Sequence, residues 1–232
     1  MKKNKIFIAC DTKNINRVKK IIVQTQTKKL NIGYKFGLEF FYSKFGRQFI
    51  SKIKKKNLFL DTKINDIPNT SIGAINSIKD LKNIKYLTVH INGGYEMLKA
   101  IKKSAKKINK KLKILGVTVL TSFSEQSLKK TGHTKSIKNL VIHQARLAKS
   151  AGLDGIVCSA KEAKLVKKIL KNMEIVTPGI RLAGDKVQDQ NKNRVVSPKS
   201  AFNNGATAIV IGRSITQGNI KKNIQKLIKS LN

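Results

Sequence analysis

Tryptophan is missing from this chain, acidic residues number only 12, and there are just two cysteines and three histidines. Each shortage removes a class of protein. Cys10 and Cys158 have no CxxC spacing, which argues against a disulfide scaffold or a zinc ribbon; both sit in apolar runs and read as buried, reduced thiols. His90, His133 and His143 lack ligand spacing, and there is no HExxH motif. No apolar run approaches the roughly 20 residues of a membrane span. The basic start MKKNKIFIACD leads into an apolar stretch shorter than the about 7–15 residues of a signal peptide. We therefore expect a cytoplasmic protein. Aromatics make up only 6%, and no RNA-binding aromatic signature, helix-turn-helix or zinc finger stands out.

What is abundant is lysine. The formal charge is +37, yet arginine supplies only Arg17, Arg47, Arg146, Arg181, Arg194 and Arg213. The lysines are spread along the whole chain, beside many asparagines and isoleucines whose codons are AT-rich. A solvated lysine surface fits this pattern better than a dedicated nucleic-acid site, although weak attraction to any polyanion follows from the charge.

The 232 residues, 40% hydrophobic and without low-complexity tracts, suit one domain spanning residues 1–232. Eight short apolar runs recur along the chain: IFIACD (6–11), GYKFG (33–37), LFLDTK (58–63), YLTVH (86–90), KILGVTVL (113–120), GIVCSA (155–160), EIVTPGI (174–180) and AIVIGRS (208–214). Their lack of alternation suits parallel strands buried on both faces. Helical stripes lie between them, such as Ile15, Val18, Ile21 and Ile22, or Ile220, Ile224, Leu227, Ile228 and Leu231. Ser197 before Pro198 reads as a helix start. Eight β-α alternations predict an α/β fold, a closed (β/α)8 barrel of the TIM type.

Function in such a barrel sits at the C-terminal ends of the strands. Those ends read Asp11, Lys35, Asp61 with Lys63, His90, Thr121, Ser159, Arg181, and Gly212 with Arg213. Lys35 and Lys63, with Asp11, Asp61 and Asp66, are expected to converge on one mouth, each charge stabilising the ionised form of its neighbours. Asp61 and Lys63, two apart in a strand, should point to the same side. A fixed ammonium beside fixed carboxylates suits metal-free chemistry that develops negative charge on carbon and then delivers a proton. The polar stretch 177–198 and the turn VIGRSIT (210–216) follow the seventh and eighth strands, where barrels commonly hold phosphate. Arginine's planar fork matches that anion.

At this level of detail the chain resembles the orotidine 5'-phosphate decarboxylase family. FLDTKINDIPNT (59–70) matches that family's DxKxxDIPxT signature, and the likeness continues in order through YKFGLEFF, TVHINGGYEML, VTVLTS, GLDGIVCSAKEA, VTPGIR, DQ and VIGRSIT. The resemblance implies a homodimer of (β/α)8 barrels, using neither metal nor cofactor, that turns orotidine monophosphate into uridine monophosphate. It implies Lys63 as the general acid, Asp61 against the substrate carboxylate, and Lys35 and Asp11 toward the ribose. Asp66 and Thr70 would be donated to the neighbouring subunit's site. Thr121, with Ser122 or Ser124, would meet the pyrimidine, and Arg181, Gln190, Gly212 and Arg213 the phosphate. This chain departs from the usual form in a longer stretch after Gln190, containing Arg194, and in having Cys10 where leucine is usual; Cys10 should face the helices.

Two rivals remain open at this stage. Hexulose phosphate synthases and ketogulonate phosphate decarboxylases share DxKxxD but use magnesium and an acidic residue on the second strand, where this chain has Lys35. A basic nucleic-acid-binding protein is the rival from another class, motivated by the charge alone.

Overall fold

Eight parallel strands close into a barrel in simple sequence order, the last returning to pair with the first. The computed structural model describes residues 4–54, 56–185 and 195–231. The strands are β1 (Lys5–Ala9), β2 (Asn31–Gly37), β3 (Asn57–Ile64), β4 (Ile84–His90), β5 (Lys113–Val117), β6 (Gly155–Val157), β7 (Glu174–Thr177) and β8 (Ala208–Ile211). All eight apolar runs become strands, but several end earlier than their hydrophobicity. Cys10, Val119, Cys158 and Ile180 lie beyond their strands and are still buried, which accounts for apolar runs longer than the strands. These overhanging segments begin the connections that build the functional mouth.

The helices between strands bury the stripes that the periodicity marks. Val18 and Ile21 face inward from the helix Ile15–Gln24, whose first turn is capped by the Asn14 side chain accepting the Arg17 amide. Ile220, Ile224 and Leu227 do the same from the helix Ile220–Leu231. Ser197 accepts the Ser200 amide and Pro198 opens the helix Pro198–Asn203, as a proline without an N–H can. Among the described residues no helix is long and apolar enough to cross a membrane.

Two apolar layers result. The larger lies between strands and helices and includes Cys10 and Cys158, both free thiols. Burial, with the Asp11 charge nearby, pushes the Cys10 thiol far up, so it stays protonated and inert. The smaller layer fills the barrel itself, where the rings of Phe7, Phe59 and Tyr86 meet edge to face or tilted. Gly33 makes room for this packing: a Cβ there would stand 2.7 Å from the Phe7 ring.

The N-terminal end of the barrel is closed by charge. Glu174 takes Lys5 at 2.9 Å, Lys113 at 2.7 Å and the Thr207 hydroxyl at 2.9 Å. Burial alone would raise this carboxyl, but the two ammonium groups outweigh it and hold it at about 2. The folded-state value lies below the ordinary one, so the stabilisation is complete above about pH 4.5 and is lost as pH falls toward 2. Glu174→Gln should therefore cost about 2–3 kcal/mol at neutral pH, a fall in Tm of roughly 5–10 °C. It should also flatten the acid limb of stability. Thermal unfolding followed by circular dichroism at pH 7 and pH 3 checks both; a variant melting with the parent at pH 7 removes the plug as a stabilising feature.

Candidate active site

At the opposite end, the strand C-termini surround a cavity of about 360 Å³, within the roughly 300–1,000 Å³ typical of small-molecule sites. Its charged side is a chain of alternating signs. The Lys35 ammonium lies 3.0 Å from Asp11 Oδ1 and 3.2 Å from Asp61 Oδ2, and the Lys63 ammonium lies 3.0 Å from Asp61 Oδ1. The inner members are the buried ones: the Lys35 and Asp61 side chains are 11% and 12% exposed, against 33% for Lys63 and 58% for Asp11. Lys63 therefore presents its ammonium to the cavity while its counter-ion stays fixed behind it.

Desolvation pulls the two buried groups toward neutrality, and their partners pull harder. Burial would lower Lys35, yet Asp61 and Asp11 hold its ammonium above the usual range. Burial would raise Asp61, yet Lys35 and Lys63, joined by hydrogen bonds from Lys63 and Thr88, hold its carboxyl below the usual range. Both stay charged, as alternating lysines and carboxylates should.

Asp61 and Lys63 do share a side, but not because of regular strand alternation. The β3–β4 register slips once between Leu58 and Phe59, and again after Leu60 opposite Leu87, resuming at Ile64 opposite Val89, so the catalytic stretch is a bulge. Lys63 sits in it at φ 50°, the left-handed region, and is alone in this among described non-glycine residues. Its amide leaves the ladder and donates to Thr88 Oγ1 at 2.9 Å.

The remaining walls divide by chemistry. Phe59, Val117, Val157 and Val210 make an apolar floor, Thr121 and Ser122 a polar edge, and Arg181, Gly212 and Arg213 the far rim. Arg181 Nη1 donates to the Ile180 carbonyl, and its amide to Val196, so both ends of the polar stretch meet beside the cavity. Gln190 and Arg194 lie outside the described residues.

Several expected residues are elsewhere. Asp66 and Thr70 do not join the mouth of their own chain: both are exposed, and the Asp66 carboxylate accepts the Ile67 amide at 2.7 Å. β3 has ended by Ile64, and the chain turns into the helix Pro68–Ser77, which carries them outward. Ser124 caps the helix Glu125–Lys129, and Ser159 caps Ala160–Ile169, so neither lines the cavity. His90 is half-buried off the cavity wall; burial and the Lys63 charge both lower its pKa, which favours the neutral ring. Thr88, by contrast, was legible and missed. It shares parity with the inward-facing Tyr86, and a polar residue at an interior strand position needs a partner.

A family model described as orotidine 5'-phosphate decarboxylase / HUMPS family matches residues 4–226. The chain belongs to this family. It is 43% identical to the orotidine 5'-phosphate decarboxylase of Wolbachia sp. subsp. Brugia malayi (strain TRS), over 98% of this chain and 99% of that one. It is 39% identical to the decarboxylase of Buchnera aphidicola subsp. Acyrthosiphon pisum (strain Tuc7), over 98% and 95%. The crystal structure of orotidine 5'-phosphate decarboxylase from Lactobacillus acidophilus superposes with a TM-score of 0.82 at 31% identity, covering 99% of each chain. The barrel is thus the family's own architecture, with the charged chain at its C-terminal mouth.

Proposed function

We propose that this chain, acting as one catalytic barrel in the cytoplasm, decarboxylates orotidine 5'-monophosphate to uridine 5'-monophosphate and carbon dioxide in pyrimidine biosynthesis. The observation that carries this reading is the Asp11–Lys35–Asp61–Lys63 chain beside an apolar floor. The bond between C6 of the pyrimidine and its carboxylate breaks, its electron pair stays on C6, and carbon dioxide leaves. Lys63 provides a fixed positive charge where that pair develops and then transfers its proton to C6. Asp61 faces the substrate carboxylate, and Lys35 and Asp11 face the ribose hydroxyls. Thr121 and Ser122 meet the pyrimidine, while Arg181, Gln190, Gly212 and Arg213 take the phosphate. Phosphate contacts far from C6 can then drive closure and lower the chemical barrier.

The second half of the proposal is a homodimer in which Asp66 and Thr70 complete the neighbouring site. Their exposure supports it, as do large apolar side chains exposed on the connections that follow β2 and β3. Leu38, Tyr42, Phe45 and Ile67 are 46%, 75%, 51% and 66% exposed, all on the connections that follow the adjacent strands β2 and β3. Large apolar side chains exposed on neighbouring connections are of the kind that a second subunit would cover. The lysines are dispersed rather than clustered, so we assign no specific nucleic-acid partner.

The test is loss of pyrimidine absorbance on mixing the protein with orotidine monophosphate, with and without EDTA. The Lys35 ammonium occupies the gap between Asp11 and Asp61 that a divalent cation would need, so turnover should be the same in both arms. Activity that vanishes with EDTA and returns with magnesium would move the chain to the magnesium-dependent branch of the superfamily. No turnover in either arm refutes the activity.

A further inference from the structure

Resting on the activity above, we propose that Thr88 is a positioning residue for the Asp61–Lys63 pair, its hydroxyl tying the backbone of the proton donor to the carboxylate that flanks it. The direction of each hydrogen bond follows from the groups themselves. The Lys63 amide can only donate, and it lies 2.9 Å from Thr88 Oγ1. The charged Asp61 carboxylate can only accept, and its Oδ1 lies 2.9 Å from the same hydroxyl. The single hydroxyl proton therefore goes to Asp61, and an oxygen lone pair takes the Lys63 amide.

Thr88 is fully buried, so this orientation has no competing water from bulk solvent. The arrangement answers two needs created by the bulge. Lys63 at φ 50° pays a conformational penalty, and such backbones persist when their surroundings over-determine them. Its amide, diverted from the β3–β4 ladder, also needs an acceptor, which a valine at position 88 could not provide. Asp61, in turn, would be held through Lys63 and Lys35 alone, two long side chains with several rotamers each. Thr88 adds a short, stiff contact from the neighbouring strand. The hydroxyl thus converts the register of β3 against β4 into the aim of the ammonium at the substrate.

The test compares Thr88→Val, which keeps shape and removes the hydroxyl, with Thr88→Ser, which keeps the hydroxyl and removes a methyl. Since misplacing a reacting group by about 1 Å can cost about a hundredfold, Thr88→Val should lower kcat about 10- to 100-fold. KM for orotidine monophosphate should stay within about twofold, and Thr88→Ser should recover kcat to within about threefold of the parent. Thr88→Ala, which puts no methyl against Asp61, carries the same expectation as Thr88→Val. A parent-level kcat in Thr88→Val or Thr88→Ala, or equal losses in them and Thr88→Ser, overturns the proposal. A second readout needs no substrate: the Lys63 amide, followed by hydrogen exchange in NMR spectra, should exchange at least about tenfold faster in Thr88→Val. Unchanged protection overturns the hydrogen-bond relay. A parent inactive on orotidine monophosphate refutes the activity instead, and the exchange measurement still decides the relay.

Discussion

Lys63→Ala is expected to reduce turnover of orotidine monophosphate by at least about 10⁴-fold while leaving the barrel folded. A positioned general acid contributes roughly 10²–10⁴ and a preorganised charge roughly 10²–10³, and Lys63 supplies both to the same carbon. Folding should survive for reasons visible around the residue. Asp61 keeps Lys35 at 3.2 Å and the Thr88 hydroxyl at 2.9 Å, so its carboxylate is not left alone in the core. Alanine meets the same left-handed penalty at φ 50° as lysine does, so the substitution adds no backbone cost there. The measurement is single-turnover decarboxylation beside a thermal melt. Turnover near the parent's would remove Lys63 as the proton donor, and a lost melt would point to a structural role for the ion pair.

The fold was legible because the evidence for it is repetitive: eight apolar runs without alternation leave few ways to bury both faces of each strand. The charged chain was legible for a similar reason, since Asp11, Lys35, Asp61 and Lys63 interrupt apolar runs toward the C-terminal ends of the adjacent strands β1, β2 and β3. The bulge was not. Nothing in LDTKI announces an irregular register, because lysine carries no preference for positive φ and the irregularity is set by the fit of β3 against β4. Strand-end position also over-predicted the site at Ser159, since a serine following a strand can equally begin the next helix. Asp66 shows the deeper limit. Sequence order puts it next to the cluster, but a helix start at Pro68 turns it away, and the geometry of one chain gives it no partner across the cavity.

The position of Asp66 leads to a test that single variants cannot provide. If it completes the neighbour's site, each site combines Asp61 and Lys63 of one subunit with Asp66 of the other. Lys63→Ala and Asp66→Asn homodimers should then each fall below about 1% of parent activity, given what one preorganised charge is worth. Mixing them through reversible dissociation produces heterodimers. In each heterodimer one site receives both lesions and the other receives neither, because two-fold symmetry sends each subunit's Asp66 to its partner. Equal mixing makes about half of the dimers hetero, with one intact site in two, so activity should return to about a quarter of the parent's. Were Asp66 to serve its own chain, every site in every dimer would carry one lesion and mixing would restore nothing. Mass spectrometry of isotopically labelled subunits establishes that exchange has occurred, so silence after verified exchange ends the shared-site proposal.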